Sequence, residues 1–131
     1  MKSWFLTFLF ATVLGFAQSP SDSAYIEFQK PSQDFGDLYQ EDSVKLEYTF
    51  TNTGSKYLVL SGVYTTCGCT TPVWSKDSIA PGKSGVIVVK FNSKDKIGRQ
   101  NKTVTIYSNA KNTPARIILT GNVLPGKKKK K

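Results

Sequence analysis

Between Ala24 and Val123 the apolar residues recur with a period of two, and no stretch repeats at the helical period. Side chains on a strand alternate between faces, so this pattern predicts strands with one face turned to a core. Val44, Leu46, Tyr48 and Phe50 alternate with Lys45, Glu47, Thr49 and Thr51, one dry face and one wet. Thr51-Asn52-Thr53-Gly54 supplies turn residues that end this strand. Leu58 to Tyr64 forms the next and runs straight into Thr66-Cys67-Gly68-Cys69-Thr70-Thr71-Pro72. Pro81-Gly82 marks a turn before Gly85 to Phe91, where Val86, Ile87, Val88, Val89 and Phe91 are apolar on both faces. Such a strand is expected to be central or covered on both sides. Thr103 to Ser108 turns Val104 and Ile106 inward, and Ala115 to Val123 contributes Ile117, Leu119 and Val123, with Asn109 to Pro114 as the connection. Ala24 to Phe28 and Asp34 to Leu38, separated by Pro31, read as edge strands.

About seven short strands punctuated by Gly, Pro and Asn predict an all-β fold, an antiparallel immunoglobulin-like β-sandwich over residues 24–124. An open barrel is the alternative. The two distant cysteines flanking a buried tryptophan are missing, so the core is expected to close without an inter-sheet disulfide. Trp74 falls in a loop-like stretch after the cysteines.

The ends of the chain differ from this middle. Lys2 precedes an apolar run, Trp4 to Phe16, that is too short to span a bilayer and ends in small residues. Residues 1–17 therefore read as a signal peptide cleaved after Ala17, followed by a flexible segment, 18–23. No cysteine stands at the junction to take a lipid. At the other end, Pro125-Gly126 leads into Lys127, Lys128, Lys129, Lys130 and Lys131, a self-repelling tail over 125–131 that is expected to be disordered. Lys2 and these five lysines carry six of the nine net positive charges, so the folded part is only mildly basic. That balance argues against nucleic-acid binding. The tail reads first as a solubilising end and second as a weak contact with an anionic surface. The expected location is exported, periplasmic or extracellular.

Catalytic chemistry is sparse. With no histidine in the chain, Ser-His-Asp and Cys-His arrangements are excluded. The acidic residues Asp34, Asp37, Glu41, Asp42, Asp77 and Asp95 are scattered at turns and strand ends rather than paired. No phosphate-binding loop, dinucleotide fingerprint or nucleophile elbow occurs.

Asp34-Phe35-Gly36, Tyr48-Thr49-Phe50-Thr51-Asn52-Thr53-Gly54, the Cys-Gly-Cys block and Ile79-Ala80-Pro81-Gly82-Lys83-Ser84-Gly85 follow one another in this order. Phe91-Asn92-Ser93, Gly98-Arg99-Gln100-Asn101-Lys102-Thr103, Ser108-Asn109 and Leu119-Thr120-Gly121 complete the series. In these motifs the chain resembles the exported bacterial family named domain of unknown function 1573. The resemblance implies an immunoglobulin-like sandwich similar to the domains of pilus chaperones, major sperm protein and ciliary ASH proteins. It implies no activity, and only Cys67 and Cys69 match a feature with chemical potential. The lysine tail is outside the family pattern.

Two residues apart on an extended strand, Cys67 and Cys69 would have Cα atoms about 6.6 Å apart, near the upper limit for a disulfide. Gly68 allows the tightening a bond would need. Closing so small a ring restricts the unfolded chain by roughly 1.5 kcal/mol, against about 3 for a 15-residue loop, so a stabilising staple is a weak explanation. Three readings stay open: a locally shaped loop of packed thiols or a local disulfide, a thiol-disulfide exchange or redox-sensing pair, and a metal site. Thiolates would suit copper(I) or zinc, but the mature chain has neither histidine nor methionine to complete a shell, so metal ranks last and no cofactor is expected. No lysine, arginine or histidine is adjacent in sequence to favour a thiolate.

Asp22-Ser23-Ala24, Asp42-Ser43-Val44 and Asp77-Ser78-Ile79 repeat one pattern that resembles an acceptor motif of some Gram-negative O-glycosylation systems. Ser23, Ser43 and Ser78 are thus candidate glycan sites, though Asp-Ser before a strand is also ordinary turn chemistry, which is the preferred reading. The leading expectation is a non-enzymatic binding or structural module of the cell envelope. Its partner would be an envelope protein or polysaccharide, met by pairing at an edge strand such as Ala24 to Phe28. The alternative is a redox protein acting through Cys67 and Cys69.

Overall fold

The computed structural model describes residue 15 and residues 22–126. The rest of the expected signal peptide with its cleavage after Ala17, residues 18–21 of the expected flexible segment and the lysines from Lys127 to Lys131 lie outside the described residues. Eight strands form: β1 (Ile26–Phe28), β2 (Ser32–Tyr39), β3 (Ser43–Asn52), β4 (Leu60–Thr65), β5 (Thr70–Trp74), β6 (Ser84–Asn92), β7 (Gly98–Ser108) and β8 (Ala115–Leu124). They build two four-stranded sheets, β1-β3-β6-β5 and β2-β8-β7-β4, packed as a sandwich. The all-β immunoglobulin-like expectation holds, and among the described residues no closed barrel forms.

The alternating residues of β3 fall as the pattern predicts. Tyr48 and Phe50 are buried, Val44 and Leu46 half-buried, and Lys45 and Glu47 exposed. They meet Ile87, Val89 and Phe91 of β6 and Val104, Ile106, Ile117, Leu119 and Val123 of the facing sheet in one core.

Two expectations need correction. First, the count is eight strands rather than seven, because Thr70–Trp74 pairs along β6 and Trp74 is a half-buried strand residue rather than part of a loop. Its indole nitrogen is buried without a protein hydrogen-bond partner. Second, the sandwich is not wholly antiparallel: β2 runs parallel to β8, with its register broken by a bulge between Asp34 and Asp37. As its apolar pattern predicts, β6 is central in its sheet, with its outer face open at Val86, which is 43% exposed.

Buried polar groups tie the layers. The Asn52 amide accepts from Gly54 N and Tyr25 N and donates to the carbonyls of Lys56 (2.7 Å) and Ile79 (2.9 Å). Buried Ser93 donates to the carbonyls of Asp42 and Tyr39, which pins the β6–β7 turn to the β2–β3 turn.

Candidate functional site

Sheet register gathers one end of the sandwich. The end of β2 lies beside the end of β8 (Tyr39 with Leu124), the start of β3 beside the end of β6 (Ser43 with Asn92), and the start of β5 beside Phe91. Here the chain leaves β4 in one sheet and enters β5 in the other through Thr66 to Cys69. Because Cys67 and Cys69 sit in this crossing, they are not on an extended strand. Thr70 N donates to Cys67 O (3.2 Å), closing a turn, and the Cα atoms of the cysteines approach to 5.2 Å with their sulfurs joined.

The turn is held on both sides. The Thr65 hydroxyl donates toward the carbonyls of Cys67 and Thr70, and Asn92 N donates to Cys69 O (2.8 Å). Within the ring, Cys69 N donates to Cys67 Sγ at 3.2 Å, and Cys69 packs against the core. Gly68 has no positive φ and a Cβ there would meet nothing within 4 Å, while Cys67 and Cys69 on either side are half-buried.

A cleft of about 370 Å³ is lined by Cys67, Gly68, Cys69, Asn92, Lys94, Asp95 and Lys96. Lys94 and Lys96 are the residues that sequence reading missed, because adjacency was sought along the chain while the fold brings the β6–β7 turn across from it. That turn is fixed locally: Asn92 Oδ1 accepts from Lys94 N, and Asp95 takes φ 60°. Among the described residues no group of three or more His, Cys, Asp or Glu side chains is placed to hold a metal ion.

The other candidates are scattered. Ser43 at the start of β3 and Ser78 before β6 are exposed, whereas the Ser23 hydroxyl is buried. The edge at Ala24 to Phe28 is already engaged: Asn112 accepts from Ile26 N and donates to Ile26 O, and Lys111 N donates to Ala24 O. On the outer face of the other sheet, Tyr64 (61% exposed) and Tyr107 meet edge to face at 5.6 Å. Tyr64 lies over Gly62, where a Cβ would fall 2.6 Å from its ring.

Two four-stranded sheets around one core, with a disulfide turn at one end, define a sandwich of the immunoglobulin and PapD-like class. The chain belongs to the family described as "Protein of unknown function (DUF1573)", which matches residues 26–123. None of the curated proteins matches it. Among solved structures, it is similar to a protein of unknown function from Porphyromonas gingivalis W83 (TM-score 0.68, 20% identity, 81% of this chain and 50% of that one). It therefore spans about half the length of that protein. It is also similar to the ASH / PapD-like domain 7 of human CEP192 (TM-score 0.61, 10% identity, 85% of this chain and 93% of that one). A third likeness is to the secreted serine protease VesC of Vibrio cholerae (TM-score 0.58, 17% identity, 76% of this chain and 23% of that one). At these identities the likenesses concern the fold, and the site must speak for function.

Proposed function

We propose that this chain is an exported, non-enzymatic binding module of the cell envelope that accepts an extended partner strand along β4. The observation that carries the proposal is the contrast among its four sheet edges. Exposed edges invite pairing and are usually blunted by charge, proline, bulges or covering groups. β1 is covered by Asn112, β2 carries Asp34, Asp37 and a bulge, and β5 contains Pro72. β4 has neither charge nor proline from Leu60 to Thr65, and among the described residues it pairs only with β7. Its one register shift falls at its start, between Leu60 and Gly62, and leaves Gly62 to Thr65 in regular pairing. Main-chain hydrogen bonds along such an edge supply affinity, and the Tyr64–Tyr107 pair beside it supplies contact for a partner side chain.

The test starts from a displayed library of extended heptapeptides selected on the full chain. Binding of a selected peptide is expected to slow amide hydrogen exchange across residues 60–65. The double variant S61K/Y64K is expected to weaken binding about tenfold or more, which is about 1.4 kcal/mol. The pair C67A/C69A is expected to leave it unchanged. Protection that appears elsewhere, or binding indifferent to the two lysines, would exclude β4 as the receiving edge.

A second reading, a thiol-disulfide couple at Cys67 and Cys69, is favoured by the lysines that share the cleft with the two sulfurs.

A further inference from the structure

We propose that the Cys67–Cys69 disulfide is an electron acceptor for anionic thiols, which Lys94 and Lys96 draw into the cleft; this rests on the second reading above. Lys94, Asp95 and Lys96 all line the cleft, so its balance is one net positive charge. Lys94 is exposed and Lys96 half-buried, the second being the less screened by water. A thiol carrying a carboxylate or sulfonate gains from that charge on approach, and a cationic thiol loses.

The hydrogen bonding gives the exchange a direction. Cys67 Sγ accepts the Cys69 N–H at 3.2 Å, whereas Cys69 Sγ has only the Thr70 hydroxyl at 3.7 Å, so Cys67 is the sulfur better prepared to leave as a thiolate. The incoming thiolate bonds to Cys69 Sγ as the Cys67–Cys69 bond breaks, and the electron pair of that bond goes to Cys67. A second thiolate then attacks the sulfur that the first reductant contributed to the mixed disulfide, and Cys69 departs as a thiolate. Two thiols become one disulfide, the protein gains two electrons, and the two protons from the thiols pass to Cys67 and Cys69. Both cysteines line the cleft, and the approach to Cys69 is from that side, since its other side packs on the core.

The test measures reduction of the full-length protein at low ionic strength by three small thiols: mercaptoethanesulfonate, 2-mercaptoethanol and cysteamine. Rates are followed by mass and expressed per thiolate. The anionic reagent is expected to outpace the cationic one about fivefold, with the ratio falling toward one in about 0.5 M salt. The variant K94Q/K96Q is expected to lose that ratio while retaining its near-ultraviolet circular dichroism. This variant also separates the cleft from Lys127 to Lys131, which it leaves in place. G68V is expected to slow all three reagents alike. A wild-type ratio near one, or a ratio unchanged in K94Q/K96Q, overturns the role of the lysines. First adducts mapped to Cys67 overturn the direction of attack. A disulfide that resists all three reagents overturns the redox reading itself, a result distinct from the others.

Discussion

Gly121 and Gly68 occupy opposite situations, and the difference shows which glycine the fold requires. The Phe35 ring lies directly on Gly121, so that a Cβ there would fall among the ring atoms, and Phe35 stacks on Phe91 with centroids 5.2 Å apart. A ring wedged between a strand and an aromatic neighbour has nowhere to retreat, so Gly121→Ala is expected to cost roughly 1–3 kcal/mol. Gly68→Ala, with open space around it and ordinary φ, is expected to change stability by less than about 0.5 kcal/mol. Urea titration of both variants checks the pair, and a Gly68→Ala loss as large as that of Gly121→Ala would mean that the disulfide turn is a packing element after all. The same reading explains two motifs at once. Asp34-Phe35-Gly36 meets Leu119-Thr120-Gly121 because Phe35 needs a residue without a side chain beneath it, while Asp34 accepts from Gly36 N (2.7 Å) and pairs with Arg99. These contacts hold the Asp34 carboxyl below its ordinary range, the Gly36 hydrogen bond first and Arg99 second.

At the scale of elements, the connection after β3 is set by one side chain. Asn52 ends β3 fully buried, and its amide links Tyr25 just before β1, the Gly54 turn, Lys56 and the Ile79 carbonyl that precedes β6. Asn52→Leu would keep the volume but leave buried partners unsatisfied, so a loss of roughly 2–4 kcal/mol is expected in chemical denaturation. A loss under about 0.5 kcal/mol would show that water replaces the amide. From sequence, Asn52 read only as a turn residue, since its position in a turn motif was visible but its four partners were not. Strands with long alternation, such as Val44 to Phe50, were legible because burial on one face leaves a period in the chain. β5 was not, because five residues with a central proline carry no such period, and only pairing with β6 makes them a strand. The parallel pairing of β2 with β8 left no local trace either. Of the candidate site, the cysteines were visible and the lysines were not. Cys69 and Lys94 are brought together by β5 and β6 lying side by side, a fact of register rather than of spacing.

At the scale of the whole molecule, one of the polar contacts that join the two sheets titrates. Tyr48 of β3 is buried in the core and donates its hydroxyl to the carbonyl of Ile118 on β8, in the opposite sheet, at 2.7 Å. Burial disfavours the phenolate and pushes the Tyr48 hydroxyl up from 10.0 to about 12. A raised value in the folded state means that the unfolded chain releases this proton first. The stabilisation is therefore fully present below about pH 10 and is lost as pH climbs through about 12. Tyr48→Phe removes both the titration and the hydrogen bond. At neutral pH the variant is expected to be less stable by about 1 kcal/mol, the usual net worth of such a bond. Between pH 10 and 12 the gap should close, because the wild type loses a contribution that the phenylalanine never had. Denaturant midpoints of both proteins from pH 8 to 12 measure this directly. Parallel curves would mean that Tyr48 opens to water before it ionises, and that the sheets part at β3 and β8 more readily than their shared core implies.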